Sequence, residues 1–305
     1  MRVTNEMMYR MLSGNTAATK EAAYKIQEQT ASGKKVVQAS DDPSAFAKIK
    51  QLKTDLAKVQ RYAENATSAE NDLLNLDTIL QNVTSIMQSV SEAAVSAGNS
   101  TSENLSALAA EVDQLLENLV DLANSRDEDG NYIFSGLKSD MEAYAVTRTD
   151  GKITSVSYQG DTGVKETEIG KNSSVAVSIP GSDFSGANGV FQTSEVDLFS
   201  SLIQLRDSLL AGEDVTGSDT LSEIDAGLDH VVDVLSAVGA REERVTLQQD
   251  LLSDRETNLE TAIDDKESID LAEAAIELSA KQTAYESAVA VTSKILNQSS
   301  LVDYL

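Results

Sequence analysis

One histidine, no cysteine and one short acidic run are all the sequence offers for chemistry. The run Asp127-Glu128-Asp129-Gly130-Asn131-Tyr132 has the residue types of a calcium loop. Its spacing does not fit. With Gly130 as the sixth position of an EF-hand loop, the twelfth falls on Gly136, where a bidentate Glu is required, and the first on Ser125. A turn is the better reading. His230 sits in Leu228-Asp229-His230-Val231-Val232, within a helical pattern, and reads as a boundary residue rather than a proton relay. Without cysteine there is no thiol nucleophile, no disulfide and little means of holding zinc. No nucleophile–base pair or Gly-rich phosphate loop is visible, and the remaining carboxylates spread over helix faces as solvated charge. No catalytic, cofactor-binding or metal-binding residue is assigned, and the chain is not expected to be an enzyme.

The elements that carry these residues are mostly helices. Among 305 residues there are only two prolines, aromatics make up 4%, and tryptophan is absent. Few helix breakers favour long helices, and few aromatics disfavour a large compact core. The net charge of −26 argues against a nucleic-acid partner, because phosphate binding needs a basic surface. Charge is uneven: residues 1–61 carry 11 Lys and Arg against 6 Asp and Glu, and the rest is strongly acidic. The basic part either lies along acidic helices of this chain or a neighbour, or presents solvated faces. No run approaches the ~18 apolar residues of a membrane span. The N-terminal Met1-Arg2-Val3-Thr4-Asn5-Glu6 lacks an apolar core, so no cleaved secretory signal is expected.

Periodicity predicts a first helix to Ser32, closed by Gly33, and an exposed connector over 34–42. Asp42-Pro43 then starts a second helix that meets no breaker before Gly98-Asn99. A third, from Leu105 to Leu122, is expected to return antiparallel along the second. From 141 to 194 the pattern turns strand-like, with Asp150-Gly151 as a hairpin turn. Helices resume at Glu195, break at Ala211-Gly212, run on to an expected interruption at Asp264-Asp265, and finish near Gln298. The fold class is mainly α: an elongated antiparallel helical coiled coil or bundle formed by both chain ends, with a small inserted β domain. Three domains are expected: 1–42 with 265–305, 43–140 with 195–264, and the insert 141–194.

The two ends carry the pattern that bears on function. A four-three spacing keeps Met8, Leu12, Asn15, Thr19, Ala22, Ile26, Gln29 and Gly33 on one helix face. The C-terminal series is Leu271, Ala275, Leu278, Gln282, Tyr285, Val289, Thr292 and Leu296. Small and polar residues interrupt both seams, so the ends gain little from pairing in a lone chain. Crowding by partners would supply the missing burial. The tail Leu301-Val302-Asp303-Tyr304-Leu305 is apolar at four of five positions, which favours docking of Leu301, Val302, Tyr304 and Leu305. Both series, except Gly33 and Thr292, together with these four tail residues are the predicted assembly interface.

Three segments carry a resemblance. Ser32-Gly33-Lys34-Lys35-Val36 is followed by Ala39-Ser40-Asp41-Asp42-Pro43-Ser44. Gly130-Asn131-Tyr132-Ile133-Phe134-Ser135-Gly136 follows the third helix, and Asp270-Leu271-Ala272-Glu273-Ala274 precedes Leu278, Gln282, Tyr285 and the tail. In this order and spacing they resemble the flagellin-like family, and within it the hook–filament junction group. The resemblance covers 1 to about 140 and about 220 to 305, and leaves the strands of 141–194 aside. It implies a structural subunit of the bacterial flagellum, located outside the cell and exported through the flagellar type III apparatus without a cleaved signal. The implied partners are further copies of itself, the first hook-associated protein, flagellin and a flagellar export chaperone; no cofactor and no membrane are implied. Flagellin itself is the nearest alternative reading, and a cytoplasmic coiled-coil scaffold a more distant one.

Overall fold

The computed structural model describes residues 5–98, 102–184, 189–213 and 219–302. They form α1 (Asn5–Ser32), α2 (Pro43–Ala97), α3 (Ser102–Ala123), β1 (Tyr144–Thr149), β2 (Lys152–Tyr158), β3 (Glu166–Gly170), β4 (Ser173–Ala176), β5 (Ser182–Asp183), β6 (Gln192–Thr193), α4 (Leu198–Ala211), α5 (Asp219–Glu267) and α6 (Leu271–Val302). The chain is mainly α with a small strand-containing insert.

Helix ends fall where the sequence carries capping chemistry. Gly33 closes α1 at φ 68°, in the left-handed region that glycine enters without a Cβ penalty. Asp42 Oδ1 accepts from the N–H groups of Ser44 and Ala45, each at 2.9 Å. Pro43 takes the first helical position, where no N–H is needed. One expectation fails. Asp264 and Asp265 do not interrupt α5, which runs through both to Glu267. Both are exposed, and exposed Asp costs only a few tenths of a kcal/mol more than Ala in a helix. The break comes where a cap exists: Asp270 Oδ1 accepts from Ala272 and Glu273 N–H at 2.8 and 3.3 Å, starting α6.

The chain divides into two compact units, residues 1–59 with 254–305 and residues 60–253. In the second unit, α5 buries Ile224, Val231, Val238, Val245 and Leu252, a seven-residue repeat along one seam. α2 buries Leu73, Leu76, Leu80, Val83, Met87 and Val90. Glu70 accepts from Gln249 at 2.8 Å and Asp225 from Ser91 at 3.2 Å, so α5 descends as α2 ascends. α3 packs on α4 and β2, and the two polar contacts run α5 antiparallel to α2.

The insert is three separate strand pairs rather than one sheet. β1–β2 is the expected hairpin, with Asp150 and Gly151 both at positive φ (52° and 84°) as a primed turn demands. β3–β4 is a second hairpin, and the parallel β5–β6 pair was not expected. Two-stranded pairs are marginal alone, and each of the two hairpins is tied to helices. Asn65 donates to the Glu168 carbonyl at 2.8 Å, Lys165 pairs with Asp72 at 3.1 Å, and Arg244 donates to Ser173 at 3.2 Å. β1–β2 is held by aromatic packing: Tyr144 lies 4.9 Å from Phe199 and 5.2 Å from Tyr158, and Phe134 meets Phe191 edge-on at 5.1 Å. Five of the thirteen aromatics thus form one compact cluster. Beside it Arg206, 2% exposed, donates to Asp113 at 2.9 Å and to the Ile153 carbonyl at 2.7 Å, joining α4 to α3 and β2.

The run from Gly130 to Gly136 is explained by this cluster. Phe134 and Ser135 are fully buried, and Tyr132 stacks under the Arg126 guanidinium at 4.2 Å. Tyr158 Oη donates within a site formed by the Phe134 and Asp161 carbonyls, at 2.9 and 2.7 Å. Burial pushes that phenol up to about 12. Gly136 has φ 72°, and a Cβ there would run into the Asp161 carbonyl. Gly130 also has positive φ (84°) but opens onto free space. Gly136→Ala should therefore destabilise this unit by ~3 kcal/mol or more, and Gly130→Ala by only about 1 kcal/mol. Urea unfolding followed by circular dichroism checks the difference.

Candidate assembly interface in the terminal helices

α1 and α6 pack against each other in the unit that holds both chain ends. Between them the Thr16 and Thr292 hydroxyls lie 3.2 Å apart, each also within reach of a carbonyl of its own helix, Leu12 or Ala288; one hydroxyl donates to its carbonyl and accepts from the other across the pair. Hydroxyls satisfied in this way can sit in a seam without an unpaired-polar penalty. They contribute little apolar burial. Among the described residues the apolar core of this unit is Ile26, Val36, Ile49, Val59, Ile263 and Ala274; all other buried apolar residues lie in the 60–253 unit.

The predicted interface residues separate into two groups. Ile26 is buried, and Met8, Leu12, Thr19, Ala22, Gln29, Leu278 and Tyr285 are half-buried in the seam. Asn15 is exposed, and Thr16 takes the inward position one residue later. On α6 the inward series is Ala274, Leu278, Lys281, Tyr285, Ala288, Thr292 and Ile295. Leu271, Ala275, Gln282 and Val289 therefore face solvent, one residue off the seam assigned from sequence. The reason is compositional. Between Ser287 and Ser293 α6 has no charged side chain on any face, so hydrophobicity alone cannot choose among its faces. Leu296, Leu301 and Val302 belong to α6, but their side chains lie outside the described residues, as do Tyr304 and Leu305 entirely.

The outer faces remain apolar. On α1, Met7, Tyr9, Met11 and Tyr24 are exposed, and on α6 Ile276 (74% exposed), Val289 and Val291. These apolar side chains are left uncovered on both helices of the pair.

A polar latch closes the base of the helix pair. The Lys35 N–H donates to the Glu267 carbonyl at 2.6 Å and the Ile269 N–H to the Gly33 carbonyl at 3.1 Å. The Glu267 carboxylate lies 2.8 Å from Lys34 and 2.6 Å from Lys53. Within the 34–42 connector Asp41 accepts from the Val37 and Gln38 N–H groups and pairs with Lys25 at 2.9 Å. The Gln38 N–H, then the Lys25 ammonium, hold its carboxyl below the ordinary range. The sequence signal for the latch was the Ser32-to-Ser44 segment, whose residues were noted without any partner for them.

The other candidates are structural. His230 Nε2 lies 2.7 Å from the Gly189 carbonyl. The acidic run is a turn in which Asp127 accepts from the Asn131 N–H at 2.8 Å and Gly130 sits at positive φ. Among the described residues no group of three or more His, Asp or Glu could hold a metal ion, and no helix is long and apolar enough to cross a membrane.

Comparison with known proteins matches this layout at both ends. Residues 3–139 match the bacterial flagellin N-terminal helical region and residues 221–305 the bacterial flagellin C-terminal helical region. The chain belongs to the flagellin-like family. It is 32% identical over 146 residues to flagellar hook-associated protein 3 of Salmonella typhimurium, covering 47% of this chain and 46% of that one. Flagellin FlaB1 of Treponema pallidum is 27% identical over 117 residues, covering 38% of this chain and 41% of that one. The chain thus spans about half the length of the curated relatives it matches. The crystal structure of flagellar hook-associated protein-3 from Legionella pneumophila superposes with a TM-score of 0.61 at 17% identity, over 71% of this chain and 98% of that one. At that identity the likeness speaks for the fold.

The latch gives this flagellin-like chain a defined pH response. Burial opposes ionisation of Glu267, but the Lys34 and Lys53 ammoniums outweigh it and hold the carboxyl below its ordinary 4.5. A lowered folded pKa means the stabilisation is complete above 4.5 and is lost as pH falls through the lower folded value. Glu267→Gln should weaken the latch by about 1 kcal/mol at pH 7, as expected of half-exposed ion pairs. The two proteins should converge once acid has protonated Glu267. Exchange of the Lys35 and Ile269 amides, measured against pH, reports it.

Proposed function

We propose that this chain is a structural subunit of the bacterial flagellum, part of the junction between hook and filament, and that it assembles through α1 and α6. The observation that carries the proposal is the unfinished terminal pair: a seam of Thr, Ala and Gln inside, and uncovered Met, Tyr, Ile and Val outside. The uncharged stretch of α6 from Ser287 to Ser293 gains most when every side is covered, which a layer of copies would provide. The terminal domain, the latch connector and the interface residues from Met8 to Leu305 are assigned to assembly on this ground. The junction is preferred over the filament because the relative of higher identity carries the name flagellar hook-associated protein 3, and the flagellin is more distant. The partners on this reading are further copies, a hook-associated protein and flagellin, with export through the flagellar apparatus and an export chaperone beforehand. The location is the external flagellum.

Antibody labelling separates the junction from the filament. A short band beside the hook is expected, and label along the whole filament would assign the chain to flagellin. Deleting the gene should leave hooks without filaments and flagellin shed into the medium. Removing residues 296–305 should leave the unfolding of the 60–253 unit unchanged and abolish incorporation. Normal junctions from that truncation would remove the tail from the interface.

A further inference from the structure

A groove in the latch unit and a ridge on α5 have complementary chemistry, and neither is filled in the single chain. The groove, ≈700 Å³, has Val36, Phe46, Ile49 and Ala57 among its lining residues. Its rim carries the ammonium groups of Lys34, Lys50 and Lys53 against one carboxylate, Glu267. Lys34 and Lys53 share that carboxylate, and Lys50 makes no ion pair among the described residues. The rim is therefore left with positive charge around an apolar floor.

The ridge is a stripe on α5. Glu243, Leu247, Asp250, Leu251 and Asp254 follow at helical spacing, and all five are exposed. Leu247 is 58% and Leu251 63% exposed, on a helix whose opposite side buries Val245 and Leu252 in the seam. Glu243, Asp250 and Asp254 make no ion pair among the described residues. Two leucines one turn apart, flanked by three unpaired carboxylates, need a partner that is apolar at its centre and basic at its edge.

We infer that the α5 ridge of one copy docks in the lysine-rimmed groove of a second copy. Leu247 and Leu251 enter the groove over Phe46 and Ile49, and the ridge carboxylates meet Lys50 and its neighbours. The two surfaces differ, so the contact is heterologous: each copy offers a groove to one neighbour and a ridge to another. Such contacts build rings or open helical layers rather than closed pairs. The inference rests on the proposed assembly role and adds to it a contact outside the α1–α6 seam, with its own charge dependence.

The chain has no cysteine, so introduced cysteines report single contacts. Thr54, on the groove, and Leu251, on the ridge, are replaced together (Thr54→Cys with Leu251→Cys) in the full chain. Flagella are isolated from cells producing it and treated with a short bis-maleimide. Probing for this chain should show a ladder of dimers and larger multiples, and chains with either cysteine alone should remain monomeric. Lys50→Glu added to the pair should reduce the ladder at least tenfold, and Asp254→Lys added to that should restore it. If the chain is present in flagella but stays monomeric, the docking is wrong and the assembly role stands. Dimers from Leu251→Cys alone, meaning ridge against ridge, would also overturn it, as would linkage only to a protein of different size. Absence of the chain from flagella would overturn the proposed function itself, and the docking with it.

Discussion

How little apolar surface α1 and α6 can bury against each other governs everything else about this molecule. Each residue fixed in a helix costs about 1–2 kcal/mol of backbone entropy. The returns come from burial, and among the described side chains only Ile26 on α1 and Ala274 on α6 are buried. Thr16 and Thr292 satisfy one another without contributing a hydrophobic contact. The terminal pair is thus formed but thinly supported, while the 60–253 unit rests on the seven-residue seam of α5, the long apolar face of α2 and an aromatic cluster. A chain constructed this way separates a well-buried part from a thinly buried one.

The latch gives this division a physical form. Backbone bonds between Lys35 and Glu267 and between Ile269 and Gly33 tie the entry and exit of the terminal helices to one place. Glu267 adds charge that two lysines share, and Asp41 locks the connector through two backbone N–H groups. These are local, polar and partly exposed interactions, individually worth about 1 kcal/mol or less. They set where the helices begin without stiffening the helices themselves. On the proposed docking, the groove beside the latch and the leucine ridge on α5 would register copies by charge while the apolar outer faces of α1 and α6 become covered.

Much of the architecture was legible because its signals are local. Gly33, Asp42-Pro43 and Asp150-Gly151 each specify a backbone geometry on their own, and each stands where expected. The misplacements share a cause, which is dependence on tertiary partners. Asp264-Asp265 resembles a break but tolerates the helix, whereas the break falls where Asp270 caps the start of α6. The β5–β6 pair is two residues long and has no sequence pattern of its own. Arg206 reads as one more surface arginine in Leu205-Arg206-Asp207 until Asp113 and the Ile153 carbonyl are brought to it. The α6 seam was assigned with Ala275, Gln282 and Val289 inward because its faces hardly differ in hydrophobicity.

Hydrogen exchange compared between the lone chain and the chain in isolated flagella tests this account most directly. In dilute solution the amides of α1 and α6 should exchange orders of magnitude faster than those of α2 and α5 within residues 60–253, and should become as protected as these in the flagellum. Terminal helices already protected to the level of the α2–α5 core in the lone chain would contradict the claim that their burial is completed by neighbours.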